Sequence, residues 1–219
     1  MALNKLKFNS LNVTPVAGKT IGFNSSADGL EATFSGGDMQ FIKKLTASSS
    51  STLSFVDGSS DVVLDNTYKE YLFLFKNIHP ATDDVQLEFQ TSIDSGSNYA
   101  TTVTSTSFRA IHKEDDATAN ISYSTGNDLA QSTSFQDLTT GIHNGNDSGA
   151  NGYLHLFNPS STTFVKHFIS RFNIMNNAPS SHDWNIAGYF NTTSAIDAIQ
   201  FKMSSGNIDA GTITLYGIN

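Results

Sequence analysis

Apolar and polar side chains alternate without a break in the stretch Val85-Gln86-Leu87-Glu88-Phe89-Gln90. Because successive side chains of a β-strand point to opposite faces of a sheet, a period of two indicates a strand with one buried face. We expect Val85, Leu87 and Phe89 to point into a core. This alternation is typical of antiparallel sheets, which cover a core with one face and meet solvent with the other.

Two further stretches extend this sheet pattern along the chain. Every position is apolar in Tyr71-Leu72-Phe73-Leu74-Phe75, which predicts a strand in the middle of a sheet. In the C-terminal stretch, the period of two directs Ile213 and Leu215 toward the core. The other face of that stretch is then formed by Thr212, Thr214 and Tyr216.

The spacing of such stretches predicts the fold class. A strand is expected over residues 164–175, with Phe164, Phe168, Phe172 and Ile174 on one face. About eight to ten strands of this kind, separated by Gly, Asn, Asp and Ser turns, follow one another along residues 39–219. The sequence therefore predicts an all-β fold, a jelly-roll-like antiparallel β-sandwich with an extended N-terminal arm.

Residues 1–38 differ from the rest, because short apolar snippets there are interrupted by glycines and polar residues. Chain ends are ordered only where they are tied down, and this segment is too poor in apolar residues to form its own core. We expect it to be an anchoring arm, with the sandwich domain at 39–219. Its contacts with another chain are expected from its apolar side chains, Leu6, Phe8, Ile21 and Phe23.

Composition limits the classes of function. The formal net charge is −8 and the pI is about 5.0, so nucleic-acid binding, which needs a basic stripe, is not expected. There is no cysteine, which excludes disulfides and thiolate metal sites. No stretch has transmembrane length, and the N-terminus lacks a signal-peptide core. We therefore expect synthesis in a cytoplasm and no membrane insertion.

The longest polar stretch, residues 113–151, is the candidate ligand loop. Long loops in compact domains usually serve a function. Within it, the candidate ligand-binding residues are His143, Asn144, Asn146 and Asp147. Oxygen ligands at alternate positions faintly resemble a calcium loop, but the closing glutamate is missing, and Asn, Asp and Gly are also ordinary hairpin residues.

Patterns that carry catalysis are missing from the sequence. The six histidines are scattered and form no close pair at metal-ligand spacing, although His155 and His167 could meet at a symmetry axis around a metal. Neighbouring acids such as Asp83-Asp84 occur in turn contexts, and no nucleophile elbow, phosphate loop or dinucleotide fingerprint is present. We expect no catalytic residue, no cofactor and no metal.

A resemblance to a known group of proteins lies in three C-terminal stretches: Ile199-Gln200-Phe201, Gly206-Asn207-Ile208 and Gly211-Thr212-Ile213-Thr214-Leu215-Tyr216-Gly217-Ile218. They resemble the ends of tailed-phage virion proteins, in which such a closing strand completes a jelly-roll-like sandwich. Residues 39–44 and 71–80 resemble opening strands of that group, so the resemblance covers 39–218. It implies a tail fibre, head fibre or decoration protein with an aromatic edge strand at its end.

The expected function follows from this resemblance. We expect a virion structural protein on the particle exterior, made in the host cytoplasm. A homotrimeric fibre or receptor-binding type is favoured, since 16 Phe and 7 Tyr leave aromatic surface for an interface. Its partners would be itself, capsid or tail proteins, and a host surface glycan. The alternatives are a capsid decoration (cement) protein, and a carbohydrate-binding module or glycan hydrolase whose sugar-stacking residues would be Tyr99, Tyr123, Tyr153 and Trp184.

Overall fold

The computed structural model describes residues 39–218 and, before them, residues 22–23 and 30–31. The chain divides into two compact units, Met1–Asp38 and Met39–Asn219. In the first unit, strand β1 (Gly22–Phe23) pairs antiparallel with strand β2 (Leu30–Glu31). The candidate arm residues Leu6, Phe8 and Ile21 lie outside the described residues, and for Phe23 only the backbone is described.

The second unit is a sandwich of two antiparallel sheets, which confirms the predicted all-β class. In spatial order, the larger sheet consists of β3 (Met39–Thr46), β14 (Ile208–Ile218), β5 (Glu70–Pro80), β10 (Ala150–Phe157), β11 (Lys166–Asn176), β12 (Ser180–Phe190), β7 (Val103–Lys113) and β8 (Ala119–Tyr123). The smaller sheet consists of β4 (Leu53–Val56), β13 (Ala198–Met203), β6 (Leu87–Ser92) and β9 (Gln136–Asp137). None of the described residues forms a helix long and apolar enough to span a bilayer.

Aromatic side chains fill the space between the sheets. Phe201 of β13 lies in the middle of this core, with ring centroids 5.5 Å from Phe73 and 5.1 Å from Phe75. Tilted and edge-to-face pairs of this kind add to the stability that buried area provides. Val85, Leu87 and Phe89 are buried as predicted, because β6 and the residues just before it turn their apolar side chains to this core.

The closing strand β14 has the predicted alternation but lies elsewhere in the sheet. Ile213 and Leu215 are fully buried, as expected from the period of two. The expected edge position is wrong, since β14 is hydrogen-bonded to β3 on one side and β5 on the other. Thr214, on the opposite face of β14, is also buried beside the neighbouring strands. The edge prediction failed because a threonine-rich strand is as stable in the interior of a sheet as at its edge.

The strand predicted over 164–175 begins later than expected. β11 starts at Lys166, and its inward face contains Phe168, Phe172 and Ile174. Phe164 precedes the strand and is 67% exposed, so its assignment to that face was wrong. Its spacing fits the period, but the hydroxyl of Ser161 binds the backbone N–H of Phe164 and ends the extended pairing there.

A β-bulge in β5 shapes the surface at one end of the larger sheet. Asn77 has a left-handed backbone (φ 51°), which asparagine tolerates better than most residues. Burial in β5 therefore shifts from odd positions up to Phe75 to even positions from Ile78 onward. Pairing on both sides is irregular here, and Gly211 of β14 (φ 112°) lets the backbones approach closely. The bulge leaves His79 on the outward side.

The candidate ligand loop, residues 113–151, is more ordered than its polarity suggests. It contains two strands, β8 and β9, that join different sheets. Single apolar side chains such as Leu138 and Ile142 are fully buried and hold the rest of this loop against the core. The segment after His143 is one of the parts of this loop that remain irregular and largely exposed.

Candidate functional site

Hydrogen bonds fasten the segment His143 to Ser148 to the turn that follows β5. His143 Nδ1 lies 2.8 Å from Asp83 Oδ1, and the backbone N–H of Asn144 donates to the same oxygen at 3.0 Å. The Asn144 hydrogen bond first, and His143 second, hold the pKa of Asp83 below its usual value. Two of the four predicted ligand residues are therefore used to hold the loop in place.

The other two predicted residues line a polar cleft beside the β5 bulge. Asn146 and Asp147 are exposed and make no hydrogen bond within the described part of the chain. His79 forms the opposite wall, with Nε2 3.1 Å from the Gly145 carbonyl and Nδ1 3.6 Å from Asp209 Oδ2. This arrangement offers exposed amide and carboxylate groups to a hydrogen-bonding ligand. Among the described residues, no three His, Asp or Glu side chains group as metal ligands.

Four of the six histidines lie beside carboxylates, and no sequence pattern predicted these pairs. Besides His79 and His143, His155 is paired with Glu70. A fourth pair, His112 with Asp116, lies near the start of the candidate ligand loop. Except for that last pair, the partners are dozens of residues apart in the sequence, so spacing could not indicate them. The tertiary fold brings these side chains together.

Most of the exposed large hydrophobic side chains of the described residues lie on the outward face of the larger sheet. Strand alternation places on it six of the nine exposed large hydrophobic side chains of the described residues: Met39, Phe41, Phe108, Ile121, Tyr123 and Ile169. This outer face is defined here as the side opposite the core. Isolated surface hydrophobics are ordinary, whereas several on one face mark an interaction surface.

Cross-strand register places these side chains in rows across the outer face. One row passes from Tyr153 of β10 through Arg171, Asn185 and Phe108 to Tyr123 of β8. Four strand spacings separate the two tyrosines, roughly 19 Å. Of the four residues considered for sugar stacking, Tyr123 and Tyr153 share the outer face. Tyr99 is half-buried elsewhere, and Trp184 is fully buried in the core.

The candidate symmetry-axis histidines also lie on the outer face. His155 is opposite Ile169 in the register of β10 and β11, and His167 is two residues before Ile169 on the same face. His167 packs against Tyr189 with ring centroids 6.0 Å apart. The two histidines are thus diagonal neighbours on adjacent strands.

One carboxylate pair bears on the hydrolase alternative. Glu88 and Asp137 are register partners on β6 and β9, so their side chains are close neighbours. Burial raises the pKa of Asp137 to about 6, and the charge of Glu88 contributes in the same direction. Lys202 Nζ lies 3.2 Å from Glu88, and Asn127 Nδ2 donates to Asp137 at 2.8 Å. Because each carboxylate already binds a protein side chain, the pair is better explained as structural.

The raised pKa of Asp137 gives a testable pH dependence. The pKa of Asp137 in the folded state is about 6, above the ordinary aspartate value of 3.8, so folding favours the protonated acid. Its contribution to stability is therefore complete below about pH 4 and is lost as the pH rises through 6, about 3 kcal/mol in all. Asp137→Asn should unfold at higher denaturant concentration than the natural protein at pH 7 and show little advantage at pH 4. An equal difference in the free energy of unfolding at both pH values would contradict this.

Comparisons with protein families, curated proteins and solved structures gave no significant match to this chain. The function must therefore be argued from the surfaces themselves, the outer face and the cleft beside the bulge.

Proposed function

We propose that this chain is a structural protein of a bacteriophage virion exterior, of the fibre or receptor-binding type, and that its copies associate through the outer face. The observation that carries this proposal is the concentration of exposed apolar side chains on that face. The resemblance of residues 199–218 to closing strands of tailed-phage proteins supports the virion assignment. No catalytic role is proposed, because the close carboxylates are already bound by Lys202 and Asn127.

The outer face is large enough for a stable interface. Eight strands spaced about 4.8 Å apart, most of them eight to eleven residues long, give a face of roughly 1,000 Å². Specific protein interfaces bury about 800 Å² per partner. A second copy of the chain therefore needs only part of this face to form a lasting contact.

Charge also favours contact between copies at this face. Strand alternation places five charged side chains on it: Lys44, Lys76, Arg171, Glu70 and Asp183. Three are positive and two are negative, while the whole chain carries a formal charge of −8. The rest of the surface repels another copy, whereas the outer face does not.

A homotrimer is the proposed state, and the mass of the intact protein in solution tests it. Light scattering during gel filtration should give three times the chain mass of 23.6 kDa. A mass of one chain at micromolar concentration would contradict self-association. A dimer would retain the interface and contradict the trimer.

Substitutions in the cleft beside the bulge test whether the protein serves host attachment or head stabilisation. Asn146→Ala with Asp147→Ala removes two side chains that hold nothing in place within the described structure. We expect particles carrying this double variant to adsorb to host cells roughly tenfold less, with unchanged heat tolerance. The matched control is Asn177→Ala, an exposed asparagine in the turn between β11 and β12 whose side chain also makes no hydrogen bond within the described structure. A decoration protein would show normal adsorption and particles that break on heating.

The row between Tyr153 and Tyr123 favours a second candidate, a carbohydrate-binding module. Aromatic rings at each end and planar Arg and Asn side chains between them suit a polysaccharide chain. A monomeric protein that retains polysaccharide on affinity gels, and loses it on Tyr153→Ala, would identify this function in place of self-association.

A further inference from the structure

The chain has two arginines, and the fold surrounds them very differently. Arg171, on the outer face, donates two hydrogen bonds to Asp183, both 2.8 Å long. Arg109 makes no hydrogen bond and no ion pair with any described residue, and its Nε is buried without a partner. Its guanidinium carbon lies 5.1 Å from the ring centroid of Trp184. A cation–π contact compensates only part of the cost of such a position.

Three more polar groups without partners lie on the same face of the sheet as this arginine. Arg109 of β7 is the register partner of Trp184 of β12, on the face opposite the outer face. Ser107 precedes Arg109 by two residues, and His182 precedes Trp184 by two, so all four side chains share that face. Ser107 Oγ, His182 Nδ1 and Trp184 Nε1 are buried and bind nothing within the described structure.

Such a group is unusual in a folded protein. More than nine in ten buried polar groups have a hydrogen-bond partner, because a group buried without one loses the hydrogen bonds that it made to water. Here four lie on two adjacent strands. The indole and the guanidinium can only donate hydrogen bonds, so what they lack is an acceptor.

The charge of the group indicates which acceptor fits. Arg109 supplies one positive charge. Burial first, and the nearby Arg109 second, lower the pKa of His182, which keeps this imidazole neutral at pH 7. One cation balances one negative charge, and a planar guanidinium matches the two oxygens of a carboxylate. Arg109 is partly exposed, so a ligand can approach it from solvent.

We propose that Arg109, together with Ser107, His182 and Trp184, forms a binding site for a monoanionic carboxylate. This site lies on the opposite side of the larger sheet from the outer face and does not depend on the virion assignment. The carboxylate can belong to a small free acid or to an acidic sugar, and the relative affinities of the two distinguish these sources.

The single tryptophan makes the site directly observable. Neutralising the Arg109 charge changes the electric field at the Trp184 ring, so a bound carboxylate alters indole fluorescence and shifts the only indole N–H resonance. The intact protein is titrated with sodium acetate and sodium glucuronate at constant ionic strength, with sodium chloride and glucose as controls. We expect a saturable response to both carboxylates and none to the controls. Tighter binding of glucuronate identifies an acidic sugar, and equal binding identifies the carboxylate alone.

Substitutions test whether the response of the Trp184 signal to carboxylates comes from binding at Arg109. Arg109→Gln should weaken carboxylate binding roughly 10- to 100-fold, while Arg171→Gln, the other arginine, leaves it unchanged. Ser107→Ala is the second variant if Arg109→Gln does not fold, and a several-fold loss of affinity is expected. The proposal is overturned if the folded protein shows no saturable response, if chloride gives the same response, or if Arg171→Gln abolishes it. In that case ordered water fills the space beside Arg109.

Discussion

Replacing Leu215 by alanine is expected to lower the free energy of unfolding by about 2–5 kcal/mol. Leu215 is 0% exposed and lies in β14, between β3 and β5, where its register partner on β5 is Phe73. The shortened side chain leaves a cavity in an aromatic core whose large rings cannot move in to fill it. Urea titration of the isolated protein measures the change.

Ile93→Ala is the matched control for this substitution. Ile93 follows β6, away from the outer face, and is 46% exposed, so its truncation should cost less than about 1 kcal/mol. A loss below about half a kilocalorie for Leu215→Ala would place the closing strand outside the core. Equal losses for both variants would contradict the burial of Leu215 in the core.

The second large effect is expected at the outer face. Ile169→Asp places a charge in the middle of the proposed interface and should weaken self-association roughly 100-fold or more. The control is Ile93→Asp, which introduces the same charge at a site away from that face. The exposed fractions are similar, 49% for Ile169 and 46% for Ile93, so the two substitutions should perturb folding to a similar degree. Sedimentation over a range of concentrations measures the association.

Two outcomes would contradict this interface. If both variants sediment like the natural protein, copies do not meet at the outer face. If Ile93→Asp dissociates the assembly and Ile169→Asp does not, the interface lies near the turn after β6. Thermal unfolding of each variant separates lost association from lost folding.

Patterns with a period of two predicted which residues of a strand face the core. They identified Val85, Leu87 and Phe89 as core residues and the segment Tyr71 to Phe75 as an interior strand. Both predictions were possible because the positions of apolar residues along a strand indicate whether one or both of its faces are buried. The bulge at Asn77 was missed, since one left-handed residue in a strand leaves no mark on composition. A strand's place in the sheet order, as for β14, depends on long-range pairing and was also missed.

The residues of the candidate site were also predictable only in part. The loop residues Asn146 and Asp147 were predicted from their polarity, and they are exposed beside a cleft. The role of His143 and Asn144 in holding the loop was not predictable, because their partner Asp83 is some sixty residues away. Nor was the isolation of Arg109, since a sequence does not indicate which charge lacks a partner.

The virion assignment is the central claim, and labelling of particles tests it most directly. Antibodies raised against residues 39–219 and bound to gold would be applied to intact tailed particles purified from the cells that make this protein, and the particles would be viewed by electron microscopy. The account predicts regular labelling on the particle exterior, at fibres or at the head surface. Purified particles that carry no label, with the protein recovered only from the particle-free fraction, would contradict it.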